Sequence, residues 1–317
     1  YAVSTDNHAT WSVIKEGTGV RPIVRDNGGT WQYNEASSGY GLSNAIYDNA
    51  SVDVTSQTNL PTGMALSSDG TKMYIISSNG YKCWQYSLST AWDVSTATYA
   101  SKSFNFPEVV TARSITFKPD GTKMYIVESY SSVDSVFAYN LSTAWDVSTA
   151  TYGSENESVA TQDSEPLAVE FNSDGTKMYV LGANNASVFQ YSLSTAYNVS
   201  TSTYDSVSFS LSSQTTSPSG LRFNADGTKM YVGSFNPDEI YQYSLSTAYD
   251  LSTASYDNVS FDFSAQEGTL YGFDWGDNGT KLYLVGVSTD TVYQYSTASY
   301  TTSTTWANST TNSELYA

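Results

Sequence analysis

The chain is poor in the residues that build most enzyme centres. It has one histidine, His8, and one cysteine, Cys83, in 317 residues. A single histidine leaves no basis for a histidine-based triad or a zinc site. A single cysteine forms no internal disulfide; Cys83 sits beside Trp84 in an apolar run and reads as a buried structural thiol. Basic residues are also scarce. Thirteen Lys and Arg face 31 Asp and Glu, for a net charge of −18. That balance excludes nucleic acid as a partner and argues against anionic membrane. No apolar run approaches the roughly 20 residues of a membrane helix, so no membrane insertion is expected. No Gly-rich phosphate loop and no signal peptide are visible. The chain begins at Tyr1 rather than Met, which reads as a processed chain or an excerpt of a longer one.

What is present is a repeat. Asp-Gly-Thr-Lys-Met-Tyr occurs at Asp69, Asp120, Asp174 and Asp226, and Asn-Gly-Thr-Lys-Leu-Tyr at Asn278, spaced 51, 54, 52 and 52 residues. A tyrosine closing a second apolar run recurs at Tyr86, Tyr139, Tyr191, Tyr243 and Tyr295. Each period holds four short strand candidates, as in Val207-Ser-Phe-Ser210, Gly220-Leu-Arg-Phe223, Lys229-Met-Tyr-Val232 and Ile240-Tyr-Gln-Tyr243. Four strands in about 50 residues predict an all-β β-propeller of four-stranded antiparallel blades. We label the strands A to D, from inner to outer.

Register extends the pattern to both ends. Trp31-Gln32-Tyr33 resembles Trp84-Gln85-Tyr86, which predicts a B strand at 11–14, a C strand at 21–24 and a D strand at 30–33. The missing A strand is expected at 300–308, near Tyr300. The expectation is a single domain over 1–317 with six blades: 11–33 plus 300–308, 47–86, 99–139, 152–191, 204–243 and 256–295, with a tail at 309–317. Five blades plus a stalk is the alternative.

The constant turns have structural readings. Asp-Gly supplies a hairpin turn between B and C, its carboxylate accepting backbone amides, and the following Lys is solvated or pairs with an acidic group. These aspartates lack the dense spacing of a calcium loop, so no metal and no cofactor are expected. In the D–A loops, Asp93, Asp146, Asn198 and Asp250 read as caps. The preceding Trp92, Trp145, Tyr197 and Tyr249 read as aromatics packed over the blade edge, or as a sugar-stacking ring.

No catalytic signature is present, although paired carboxylates need only meet in space. Sialidase propellers carry a Ser-x-Asp-x-Gly-x-Thr-Trp turn and an arginine cluster. Here Asp, Gly and Thr are contiguous, and Arg21, Arg25, Arg113 and Arg222 show no clear match. The A–B and C–D loops vary between copies, at 77–82, 128–135, 182–187, 233–239 and 286–291. Variable loops on a rigid scaffold are the expected ligand surface, with Tyr81, Tyr130, Asp134, Phe235 and Asp238 as candidates. Both chain ends are expected on that same face; were it occluded, Trp92, Trp145, Tyr197 and Tyr249 on the opposite face would be the contacts.

The phrases Asp-Gly-Thr-Lys-Met-Tyr-Val and Leu-Ser-Thr-Ala-Trp-Asp-Val-Ser-Thr-Ala resemble repeats of virion and fibre-like proteins of marine tailed phages, over residues 47–300. The resemblance implies a non-enzymatic virion appendage or attachment module, at a virion or cell surface, with other assembly proteins or host surface carbohydrate as partners. A cellular surface or filament protein is the second reading and a polysaccharide-degrading enzyme the third.

Overall fold

The computed structural model describes residues 39–129 and 133–297 in full. It gives the backbone strands Ala2–Val3, Ser12–Val13, Ile23–Arg25, Trp31–Ala36 and Tyr300–Thr302 beyond them. Five four-stranded antiparallel blades stand around one axis. From axis to rim, blade I is Pro61–Leu66, Lys72–Ser77, Lys82–Leu88 and Ala97–Asn105. Blade II is Ala112–Phe117, Lys123–Glu128, Ser135–Leu141 and Ala150–Ser158. Blade III is Pro166–Phe171, Lys177–Gly182, Ser187–Leu193 and Ser202–Ser210. Blade IV is Pro218–Phe223, Lys229–Phe235, Asp238–Leu245 and Ala254–Asp262. Blade V is Leu270–Gly276, Lys281–Gly286, Thr291–Ser296 and, from the start of the described chain, Ile46–Asp53.

The propeller class is as expected, but two details of the expectation are corrected. The strand labelled A is the outermost strand of the preceding blade, and the inner strand is B. In addition, the ring holds five blades, not six. Ile46–Asp53 closes blade V, pairing Tyr47 opposite Tyr295 as Tyr99 stands opposite Tyr86. The ring leaves no room for a sixth inner strand. Leu66 N donates to Asp274 Oδ2 across the closing seam at 2.9 Å. A Cβ on Gly272 would lie 2.9 Å from Gly63 Cα, an approach that only glycine permits. The expected first blade is replaced by smaller sheets. Ser12–Val13 pairs with Ala2–Val3, while Trp31–Ala36 lies between Ile23–Arg25 and Tyr300–Thr302. Residues 303–308 of the expected closing strand lie outside the described residues. Both ends of the described chain meet at the Asp277–Gly279 turn, where Gly279 O accepts from Tyr40 N and Thr297 Oγ1. They therefore leave on the constant-turn face, opposite to the expectation.

Each of the five seams between blades is its own apolar core. Met178 and Val180 pack toward blade II, whereas Tyr179 and Leu181 pack toward blade IV. This two-sided burial explains why the strands read as continuous apolar runs rather than alternating ones. Cys83 lies fully buried in the I/II seam, and burial pushes its thiol up.

A second device recurs at every seam. Tyr74 Oη donates to Trp145 O at 2.7 Å, and Tyr125 Oη to Tyr197 O at 2.7 Å. Tyr179 repeats the bond to Tyr249 O, Tyr231 to Tyr40 O at 3.0 Å, and Tyr283 to Trp92 O at 2.8 Å. Tyr40 thus completes the series of loop aromatics in the blade that the chain ends divide.

The constant turns behave as chemistry dictates. Asp174 Oδ1 accepts from Thr176 N at 2.9 Å and from Thr176 Oγ1, and these bonds hold its carboxyl below the usual range. Gly175 takes φ +72°, and the Tyr197 ring lies where a Cβ would stand, 2.2 Å away. The following lysines pair with acids of the outer strand: Lys177 with Asp205, Lys229 with Asp257, and Lys281 with Asp48, at 2.6, 2.7 and 2.7 Å. Asp93, Asp146, Asn198 and Asp250 each cap a short 3₁₀ turn. Outer strands carry a bulge with a positive-φ residue, at Asn49, Ser101, Ser154, Ser206 and Asn258. Such kinks discourage edge-to-edge pairing with another chain.

Candidate functional site

The inner strands bring five equivalent positions to the axis: Ala65, Thr116, Glu170, Arg222 and Asp274, each one residue before Leu66, Phe117, Phe171, Phe223 or Trp275. This position carries five different side chains, three of them charged. Two residues earlier stand Gly63, Ser114, Ala168, Gly220 and Gly272, all small. There the strands crowd together: a Cβ on Gly63 would lie 3.1 Å from Ser114 Cα.

Arg222 of blade IV binds the ring together at this level. Its Nη1 donates to Glu170 Oε1 at 2.6 Å and to Leu221 O at 2.9 Å. Its Nε donates to Asp274 Oδ1 at 3.0 Å. Its Nη2 donates to Met64 O at 3.0 Å and Ile115 O at 3.3 Å. All five guanidinium donors are therefore engaged, and the partners lie on every blade. Burial works against the guanidinium charge, but Glu170 and Asp274 outweigh it and hold its pKa above the ordinary value.

One cation cannot neutralise two carboxylates. Burial pushes the Glu170 carboxyl up to about 7, against the pull of Arg222 and with the push of Asp274. The side chains of Glu170, Arg222 and Asp274 are 13, 10 and 17% exposed, so the trio keeps one window to solvent. That window is a funnel of about 340 Å³ on the constant-turn face. Glu170, Arg222, Asp274 and Thr116 form its base, and Phe117, Phe171, Phe223, Trp275, Tyr197 and Tyr249 its walls. Tyr40 reaches its edge, 5.2 Å from the Trp275 ring. An aromatic-walled cleft with a few convergent polar groups, one titrating near neutrality, has the features of a small-molecule site.

The residues singled out from sequence are dispersed. Tyr81 is 41% exposed at the tip of a blade I loop, with φ +49°. Tyr130 lies outside the described residues. Asp134 is buried, its carbonyl accepting from Val159 N at 2.9 Å. Phe235 is 43% exposed and, with Arg113 and Tyr271, lines a separate cavity of about 190 Å³ at the opposite end of the inner strands. Asp238 is half-buried at the end of a blade IV strand, and burial raises its carboxyl. Trp92, Trp145, Tyr197 and Tyr249 cover the glycines Gly70, Gly121, Gly175 and Gly227; of these four, Tyr197 and Tyr249 also line the funnel. Sequence reasoning missed Glu170, Arg222, Asp274 and Tyr40. Among the described residues, no group of three or more His, Cys, Asp or Glu is placed to hold a metal ion, and no helix is long and apolar enough to cross a membrane.

The architecture defines a five-bladed β-propeller with an axial funnel. No family profile matches the chain, and no curated protein matches it. Solved structures do. A functionally unknown protein from Desulfotomaculum acetoxidans shares 14% identity, with TM-score 0.47, over 86% of this chain and 90% of its own. A provisionally assigned 6-phosphogluconolactonase from Bacteroides uniformis shares 14%, with TM-score 0.46, over 89% and 83%. The periplasmic gluconolactonase of Pseudomonas aeruginosa shares 13%, with TM-score 0.41, over 77% and 69%. At these identities the likeness is one of fold. Two of these three propellers are named as enzymes and none as a virion protein, so the expected non-enzymatic virion appendage is not what the chain is similar to. That expectation, and with it the exclusion of enzymatic activity, is withdrawn.

Proposed function

We propose that the chain is a glycan-cleaving hydrolase whose active site is the axial funnel. One observation carries the reading. A carboxyl group poised near neutrality stands at the base of an aromatic-walled cleft, beside the one guanidinium that ties all five inner strands together. A carboxyl with a pKa near 7 is suited to general acid catalysis in neutral solution.

The sign of the local charge selects the reaction. Opening an ester or lactone builds negative charge on a carbonyl oxygen and needs unspent hydrogen-bond donors. Arg222 has none left, and the unpartnered Trp275 Nε1 is a single neutral donor set against two carboxyl groups. Cleaving a glycosidic bond builds positive charge on the sugar ring, which Asp274, and Glu170 once it has given up its proton, stabilise. Protonated Glu170 gives its proton to the bridging oxygen as the bond to the anomeric carbon breaks. Asp274 supplies negative charge beside the developing cation. Water then adds to the anomeric carbon and returns a proton to Glu170, which leaves two free hydroxyl ends and the enzyme restored. The Phe and Tyr walls offer ring faces to the apolar faces of the sugar.

The test is turnover on a panel of aryl glycosides and oligosaccharides, with a sugar lactone as the control arm. The expected result is glycoside cleavage that declines as pH rises through about 7, where Glu170 loses its proton. Glu170→Gln should lower kcat by about 10²–10⁴-fold. Absence of glycoside cleavage by the wild-type chain, or full activity in the variant, refutes the reading.

A further inference from the structure

Building on the hydrolase reading, we infer that the funnel selects neutral and basic sugars, including amino sugars, and rejects sugars bearing carboxylate, sulfate or phosphate at the residue it holds. Three observations point the same way. The charged residues lining the funnel are Glu170, Arg222 and Asp274, one cation against two carboxylates. That cation has all five donors engaged by the protein, so it has none to give to an anionic ligand without breaking the axial bonds. Lys177 and Lys229 are drawn to Asp205 and Asp257 of the outer strands, and Lys118, beside the Tyr197 ring, is paired with Asp120. An acidic glycan would meet the Asp274 carboxylate with no free cationic donor to answer it, whereas an ammonium would meet Asp274, Glu170 as it ionises, and aromatic faces around it.

The inference carries a proton signature. Arg222 from blade IV, Asp274 from blade V and the Tyr249 hydroxyl from the loop before blade IV's outer strand are the titratable groups acting on Glu170. A cationic occupant adds a second positive neighbour to Arg222. It therefore favours the ionised carboxyl and expels a proton from the fraction of molecules in which Glu170 is protonated.

The experiment is titration calorimetry of the full chain near pH 6, in two buffers of different ionisation heat. The probes are a protonated iminosugar, its neutral parent sugar and the corresponding sugar phosphate. The expected order is the iminosugar about tenfold tighter than the neutral sugar, and the phosphate weaker than both. Iminosugar binding should release a proton in the wild type and none in Glu170→Gln. Equal or tighter binding of the phosphate, or proton uptake with the iminosugar, overturns the inference. In that case Glu170-dependent glycoside turnover would leave the hydrolase reading standing. If none of the probes binds and no glycoside is cleaved, the hydrolase reading fails and this inference with it.

Discussion

Glu170→Gln separates a strained catalytic carboxyl from a structural one, because the two give opposite signs of stability change. The carboxyl is pushed from its ordinary value of 4.5 to about 7 in the folded chain. Between those values the native state keeps a proton that the unfolded state has lost. Its contribution to stability is therefore intact below about pH 4.5 and declines as pH rises to about 7. That displacement corresponds to about 3 kcal/mol of cost once Glu170 is ionised. Glutamine keeps the shape and an acceptor for Arg222 Nη1 but never carries the charge. The variant should match the wild type near pH 4.5 and melt higher near pH 8, by roughly 5 °C for a domain of this size. Differential scanning calorimetry across the pH range reads this directly, since the other carboxylates cancel between the two proteins. The opposite result is equally readable. If the variant is less stable near pH 8 by about 3–5 kcal/mol, the cost of breaking a buried ion pair, then Glu170 is ionised well below neutrality. It would then be a structural clamp on Arg222 with no proton to give.

Three further outcomes test the architecture. Ending the chain after residue 297 should leave the melting temperature nearly unchanged, because Ile46–Asp53 closes the ring; removing residues 1–53 should expose the edge of blade V and cause aggregation on size-exclusion chromatography. Gly175→Ala should destabilise by about 2–4 kcal/mol in urea titration, since Gly175 sits at φ +72° with the Tyr197 ring 2.2 Å from the added methyl. Asp48→Ala should cost about 1–2 kcal/mol near neutral pH by removing the partner of Lys281, Gln294 and Ser296. Burial raises the Asp48 carboxyl, the bonds from those three outweigh it, and the net pKa is lowered; the wild-type advantage should therefore fade as pH drops below about 4.

The repeat was plain in the sequence because each blade reuses the same turn chemistry, and four strands per period left little choice of fold. The count of blades was not plain, because sequence shows strand order and not which neighbour a strand joins. A strand before the first inner strand can begin its own blade or finish the last one. The deciding signals were nonetheless present. Leu42-Ser-Asn-Ala-Ile-Tyr47 follows the pattern of Val94-Ser-Thr-Ala-Thr-Tyr99, which makes Tyr40 the counterpart of Trp92 and Ile46–Asp53 an outer strand. Trp31-Gln-Tyr33 matched a strand motif just as well but has no inner strand before it in the described chain: Ser12–Val13 pairs with Ala2–Val3 instead.

The site was obscured for a different reason. Variation among the copies is conspicuous in the loops, where insertions mark it. The informative variation lies inside a strand, at one residue per repeat: Ala65, Thr116, Glu170, Arg222 and Asp274. In a linear reading, Arg222 between Leu221 and Phe223 is one charged residue in an apolar strand and could face either seam. Only closure of the ring brings it within 3.0 Å of Asp274, 52 positions along the chain, and 2.6 Å of Glu170, 52 positions back. The repeat period that fixes the fold thus also fixes the charge cluster. Residues one period apart occupy equivalent places on neighbouring inner strands, and at the axis of a five-bladed ring equivalent places touch. A substitution at that position in any one repeat therefore changes the floor of a single shared funnel, whereas a change in a peripheral loop alters one blade alone.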